Sequence, residues 1–510
     1  MKRLFITLLA LSFATTLAAQ VEDEWDKLMK ESKENATKDF DDFVKQANQE
    51  FEDFRRQANE SYAKFMEEAW KLYDAKDAEP APWTQPKPVV PLEDVAPETN
   101  AMIEYDEIIE SPSDRIPEAT LPEGSLTDVE VRLQGQPEPM EPILPVYESD
   151  YNVQNLFLYG SSFPVRVEPA KETIKLKDPS EKNVARMWRK LSTPYYDNIV
   201  AECLQQRKER SLCDWAYVKF TEQMANKYFE PGSNEAVVLQ MYILTQSGYQ
   251  MRMARAGKKL TLLMGSKEKL YQYKYFIMDK VQYYIIDKSM KDKSMNVYDR
   301  AFPNEKLLSM AMVQPKFNVN KTEKKNITAG NKLGLKINIE FNQNLLDFYT
   351  DCPVSSQWDY YSKASFSNEV KKTLYPALRK EIEGKNEVDA VEFLLNFVQT
   401  SFDYKTDQNQ FGYERPLYPD ESLYYPYCDC EDRSILFSCL VRELVGLDVV
   451  LLAYPAHLST AVHFNRDVKG DYVMVDGDKY TVCEPTFLSG APVGRGGSKY
   501  RDKKPKIMKF

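Results

Sequence analysis

Proline divides this chain into three regions before any other residue type is considered. Residues 22–76 contain neither proline nor glycine. Thirteen of the 29 prolines then fall between Pro80 and Pro145, among many Asp and Glu. Proline locks φ, donates no backbone hydrogen bond and drives the residue before it into extended backbone. The first region is therefore free to form one long helix. The second can form neither a helix nor a central strand. Folded domains are expected only from about Tyr151 onward.

The first region carries a helical stripe. Phe40, Phe43, Ala47, Phe51, Phe54, Ala58, Tyr62, Phe65 and Ala69 follow one another at steps of three or four, and Trp25, Met29 and Ala36 extend the stripe upstream past Ser32. Lys45-Gln46-Ala47-Asn48 returns as Arg56-Gln57-Ala58-Asn59, a period of 11 residues. That period is 3.67 residues per turn and keeps one face toward a partner in a straight or slightly right-handed coil. An aromatic stripe on a charged helix requires cover. A homo-oligomer or a partner helix on residues 22–76 is the favoured expectation, and docking on the chain's own globular part is the alternative. The second region, residues 77–150, reads as an extended, disordered acidic spacer.

Ahead of the helix, Lys2 and Arg3 precede an apolar run, Leu4 to Ala14, and the small residues of Leu17-Ala18-Ala19. This is the pattern of a secretory signal, residues 1–19, cleaved after Ala19 and too short to span a bilayer. No cysteine follows it to take a lipid, and no later stretch is apolar enough to span. The expected location is periplasmic or extracellular. The net charge of −11 argues against nucleic acid as a partner. Seven cysteines, an odd number, leave at least one thiol unpaired in an oxidising compartment. Cys203 and Cys213 are candidates for a disulfide.

The chemistry concentrates near the C-terminus. Tyr427-Cys428-Asp429-Cys430-Glu431-Asp432-Arg433-Ser434 runs into the apolar stretch Ile435–Val441 and on to Gly446. Asp429 is a good N-cap, which puts Cys430 in the first helical turn. Unpaired backbone N–H groups and the helix dipole there favour a thiolate, the nucleophilic form, and the same N–H groups suit an oxyanion. A strand at Leu447–Leu452 follows, then a turn at Tyr454-Pro455 and a second strand from His457. The chain has two histidines, His457 and His463, and both lie on that strand. A cysteine enzyme needs a base beside its thiol; His457, at the strand's start, is the better candidate. A hairpin turning at Asp476-Gly477-Asp478 ends in Cys483-Glu484-Pro485-Thr486. Glu484 is placed to orient a histidine. Cys428 is a rival nucleophile, but it precedes the cap. Cys428, Cys430 and Asp432 match no common zinc spacing, so neither metal nor cofactor is expected.

The Asp-Cys-Glu-Asp-Arg-Ser helix start, the His-led strand and the acid before Pro-Thr resemble the transglutaminase-like superfamily over roughly residues 340–510. The resemblance implies an α+β fold of papain-like type, with the Cys-bearing helix packed on an antiparallel sheet. It implies Cys430 as nucleophile, His457 as general base and acid, and Glu484 as orienting carboxylate. The family normally has Asp before Pro-Thr, so Glu484 departs from its pattern. A protein or peptide substrate would be cleaved or transferred through an acyl-thioester, with a cysteine hydrolase slightly favoured over an acyl transferase. A non-catalytic scaffold that oligomerises through its first helix is the alternative.

An upstream segment has a similar layout. The stretch Ala236–Leu244 ends at Gly248 as the Cys430 helix ends at Gly446, and the helices Asp214–Phe229 and Asp389–Tyr404 precede them. Sliding Gly248 onto Gly446 puts Gly232 at the Cys430 position and Lys259 at the His457 position, and it brings Tyr283–Asp287 onto the Glu484 strand. Residues 151–335 are therefore expected to be an α+β domain, a degenerate copy lacking nucleophile and base, followed by the transglutaminase-like domain over 336–510. The aromatic segment 407–427, with Tyr413, Tyr418, Tyr424, Tyr425 and Tyr427, either walls a substrate cleft or packs a long loop onto the domain.

Overall fold

The computed structural model describes residue 46 and residues 49–81, 95–110, 151–167, 174–329, 334–355, 358–488 and 490–510. The expected signal segment, the upstream half of the helical stripe and much of the acidic spacer lie outside them. The described part of the chain is mixed α and β, with twelve helices and two six-stranded sheets beside two separate hairpins. The described residues divide into two units between Ser61 and Tyr62. No helix among the described residues is long and apolar enough to cross a membrane.

The helix expected over residues 22–76 ends ten residues before its expected C-terminal end. The described helix covers residues 49–66, and Lys71–Asp74 is a strand. Within the larger unit, Tyr62 of the stripe is covered by the chain itself, with Met66 and Trp70 buried beside it, while Phe65 and Ala69 stay exposed. Tyr62 is buried against Trp188, Tyr298 and Phe302, with ring centroids 5.0, 4.9 and 5.2 Å away. The helix ends because Lys71–Asp74 gains a full antiparallel ladder with Ser294–Val297. Pairing a strand edge outweighs another turn of solvent-exposed helix.

The acidic spacer needs a similar correction. Residues 95–110 are ordered: Ala96 is buried, and Val95 and Met102 form bridges to Gly497 and Tyr472. Ile108–Glu110 pairs in parallel with Lys506–Lys509. This stretch is proline-poor inside a proline-rich region, and it completes the C-terminal sheet.

The two large sheets share one strand order. The N-terminal sheet runs Tyr275–Met278, Val281–Ile285, Lys259–Gly265, Met251–Ala256, Ser294–Tyr298, Lys71–Asp74. The C-terminal sheet runs Tyr472–Val475, Asp478–Cys483, His457–His463, Val449–Tyr454, Lys506–Lys509, Ile108–Glu110. All ladders are antiparallel except the last of the second sheet. Each sheet takes its sixth strand from the segment before residue 111. Each also carries one helix on its central hairpin, Asn234–Gln246 in the first and Cys430–Leu444 in the second.

Local signals fix both helices. Ser233 caps the first by accepting the Ala236 N–H, and Gly248 at φ +90° ends it. Asp429 and Asp432 form a capping box on the second, and Gly446 at φ +76° ends it. The sheets' cores are the alternate residues of their strands. Ala254, Leu263, Phe276, Tyr283 and Val297 form one; Val450, Leu452, Ala461, Val473 and Val482 form the other.

Candidate active site

Three features of the C-terminal fold position the site: the start of the Cys430–Leu444 helix, the start of the His457–His463 strand and the end of the Asp478–Cys483 strand. The hairpin pairing Tyr454 with His457 turns through Ala456 at φ +57°. The ladder pairing Thr460 with Cys483 then delivers Glu484 one step further on. Cys430, His457 and Glu484 are all buried, at 3, 2 and 2% exposure.

His457 and Glu484 meet as the sequence predicts, with Nε2 2.8 Å from Oε2. Glu484 is held on every side. Its Oε1 accepts the Thr486 N–H at 3.0 Å, its backbone carbonyl accepts the Gln399 side-chain amide at 2.8 Å, and Pro485 follows it. Burial pushes its carboxyl up, but the charge of His457 and the hydrogen bonds it accepts outweigh that and hold it below the usual carboxylate range. With Nε2 committed to the carboxylate, the other ring nitrogen of His457, Nδ1, is buried and has no partner.

Cys430 occupies the first helical turn, as expected, and its shell includes Leu451, Leu458 and Met508. Its thiol does not meet His457. It donates instead to Glu431 Oε2 at 3.0 Å. Strand alternation contributes: it turns Leu458 toward Cys430, while His457 stacks on Tyr500 with centroids 4.5 Å apart and an 18° interplanar angle. The expected stabilisation of a thiolate is overridden here. Burial, then the charges of Glu431 and Asp429, push the Cys430 thiol well up, and the backbone amide of Leu458 opposes this only in part. A helix dipole is a fraction of a charge, and burial of the thiol among acidic groups outweighs it.

Several supporting residues escaped the sequence reading. Arg433 is fully buried and donates to four carbonyls: Phe402 at 2.6 Å, Gln399 at 3.1 Å, Val398 at 3.3 Å and Cys428 at 3.3 Å. It closes the C-terminus of the Glu387–Ser401 helix and fixes the residue before the Asp429 cap. Ser434 donates to the Leu458 carbonyl at 3.0 Å and ties the Cys430 helix to the histidine strand. Tyr500 lies on a short 3₁₀ turn after a glycine-rich stretch, and no sequence pattern pointed to it. Burial, then the nearby Cys430 and Glu484, push its hydroxyl up to about 12.

Cys428 is buried ahead of the cap, and its thiol donates to the Ser422 carbonyl at 3.2 Å. His463 sits at the far end of its strand, with Nδ1 3.1 Å from the Lys479 carbonyl. All seven cysteines are free thiols, Cys203 and Cys213 among them. The aromatic loop packs largely on the domain: Tyr418 stacks on Tyr349 at 4.6 Å, and Tyr424 meets Phe341 at 5.4 Å. Tyr413 and Tyr418 also line a cavity of about 110 Å³ with Tyr349, Cys352 and Arg415, a set that includes none of Cys430, His457 and Glu484.

The N-terminal sheet has a counterpart to the His–Glu pair. Lys259 begins its strand after a turn through Gly257 at φ +56°, and Lys259 Nζ lies 2.6 Å from Asp287 Oδ2. Searches against protein-family models, curated proteins and solved structures find no match to this chain.

Proposed function

We propose that the C-terminal domain is a transglutaminase-like cysteine enzyme of papain-like fold, acting on amide bonds of a protein or peptide. The observation that carries this reading is the buried His457–Glu484 pair, whose unpartnered Nδ1 lies one residue from Leu458 in the shell of Cys430. The carboxylate on Nε2 fixes the ring's orientation and stabilises the imidazolium that forms when Nδ1 accepts a proton. The Cys430 thiol would rotate from Glu431 toward Nδ1 and give up its proton there. Its sulfur would then attack the amide carbonyl, with the first-turn N–H groups of the helix facing the oxyanion. His457 would return the proton to the departing amine, leaving an acyl-thioester. Attack by water completes hydrolysis, and attack by an amine completes transfer; we favour hydrolysis.

On this reading the N-terminal sheet is a non-catalytic copy of the same unit. The shared strand order, the two-residue turns before Lys259 and His457, and the Lys259–Asp287 pair at the His457–Glu484 positions support it. The sequence offers a cleaved signal, an export destination and an oligomerising first helix, and these complete the proposal.

A second reading has its own observation. The thiol bonded to Glu431, with no hydrogen bond to His457, also suits a scaffold that has kept the site's residues without turnover. Labelling by a thiol-directed electrophile separates the two. Rapid labelling at neutral pH that disappears in Cys430→Ala and falls in His457→Ala supports the enzyme. Equal, slow labelling of all three proteins overturns it. A primary amine offered with a glutamine peptide then separates transfer from hydrolysis.

A further inference from the structure

The first turn of the Cys430 helix sits in a pocket of acids that the reaction above does not use. Asp407, Asp429 and Glu431 are all buried, and one carboxylate oxygen from each lies within 4.8 Å of the others. Two opposite ligands of one calcium-sized ion stand about that far apart, at roughly 2.4 Å from the metal each. Glu414 sets a further carboxylate against Glu431.

Asp407 Oδ2 accepts the Arg415 N–H at 2.6 Å, but two other oxygens of this group have no donor. Asp429 is 4% exposed; its side chain accepts the Asp407 N–H and the cap bond from the Asp432 N–H, and its Oδ1 has no partner. Glu431 is 1% exposed; its Oε2 holds the Cys430 thiol, and its Oε1 receives no N–H or O–H. The Tyr404 hydroxyl, near Asp429 and Glu431, is also without a partner. The neighbouring guanidinium groups are committed elsewhere, Arg433 to its four carbonyls and Arg415 to Glu421. Buried carboxylates in mutual contact with few donors and little counter-charge are costly. Hard oxygen ligands with no nitrogen or sulfur among the three suit Ca²⁺, Mg²⁺ or Mn²⁺ rather than zinc.

We propose that Asp407, Asp429 and Glu431 form a site for one divalent cation, bound through oxygen against the start of the Cys430 helix. The site does not depend on Cys430 being catalytic. It also reassigns a stretch in which the sequence alone suggested no metal.

Calorimetric titration of Ca²⁺, Mg²⁺ and Mn²⁺ into the chelator-treated full chain tests it. One ion per chain is expected, with a dissociation constant between about 10⁻⁷ and 10⁻³ M and a rise in melting temperature on binding. Asp407→Asn and Glu431→Gln should each weaken binding at least tenfold and remove that rise. Failure of the folded wild-type chain to bind any of the three ions overturns the proposal, as does unchanged affinity in both variants. Should the variants not fold, anomalous scattering from Mn²⁺ in crystals of the wild-type protein decides. A peak between Asp407, Asp429 and Glu431 supports the site, and a peak elsewhere or none refutes it.

Discussion

Replacing Glu484 by Asp restores the residue that the resembling family carries, and the structure predicts that it damages this protein. The change removes one carbon–carbon bond, about 1.5 Å, from a side chain that just reaches its partner. The carboxylate cannot follow by moving its backbone, because Gln399 holds the Glu484 carbonyl and Pro485 restricts the next residue. The 2.8 Å contact to His457 then opens to about 4.3 Å, beyond hydrogen-bond range. His457 is left buried with neither ring nitrogen paired, since Nδ1 already has no partner.

Leaving a buried ring N–H without its acceptor costs about 2 kcal/mol. Freeing the imidazole orientation costs about 100-fold in any reaction that uses it. Glu484→Gln is the control: it keeps the reach and an acceptor and loses the charge, so it should hold stability better than it holds reactivity. The carboxyl of Glu484 is held below its ordinary value of 4.5. Its contribution is therefore present above that pH and lost as pH falls through the lower folded value, and the gap between wild type and Glu484→Asp should narrow in acid. Urea unfolding at pH 7 and the rate of Cys430 labelling measure the two effects. A Glu484→Asp protein within about 0.5 kcal/mol of wild type, labelled within twofold of its rate, would refute the reasoning.

Arg433→Met should cost about 4 kcal/mol, because four buried carbonyls lose their donors and the relief of removing a buried charge offsets only part of that; Arg433→Lys should recover less than half, and a shift in the urea midpoint reports both. Burial pushes the Asp420 carboxyl up to about 7 from 3.8, so the folded state holds its proton more tightly than the unfolded chain and stability from this group falls as pH rises between those values. Asp420→Asn, which keeps an acceptor for the Ser367 N–H, should stabilise by on the order of 4 kcal/mol at pH 8 and by almost nothing at pH 4; equal effects at both would contradict this. Lys259→Ala breaks an ion pair whose side chains are 48 and 37% exposed, so unfolding should move by less than about 1 kcal/mol and Cys430 labelling should not change.

The short-range chemistry of the site was legible from the residues alone. Asp429 before Cys430 specifies a helix start through a capping box that spans four residues, and Gly446 specifies its end by tolerating positive φ. The turn before His457 and the Pro485 after Glu484 mark one strand's beginning and another's end. Those signals are local, and the elements appear where they point. The helical stripe through residue 76 was also local, but it misled. A strand edge far along the chain, at Ser294–Val297, claimed Lys71–Asp74, and periodicity carries no record of a distant ladder. Residues 95–110 were hidden in the same way, since their partners lie near residues 472 and 506.

What the sequence by itself determined is the order and type of the C-terminal elements and the meeting of His457 with Glu484. An N-cap, a turn and a two-residue alternation leave few other outcomes. The tertiary structure alone decided where the Cys430 thiol points. It also gathered Asp407 with Asp429 and Glu431, and laid Tyr500 flat on the histidine. These arrangements join residues from separate elements, and they are set by which charges and rings burial forces together rather than by any spacing along the chain.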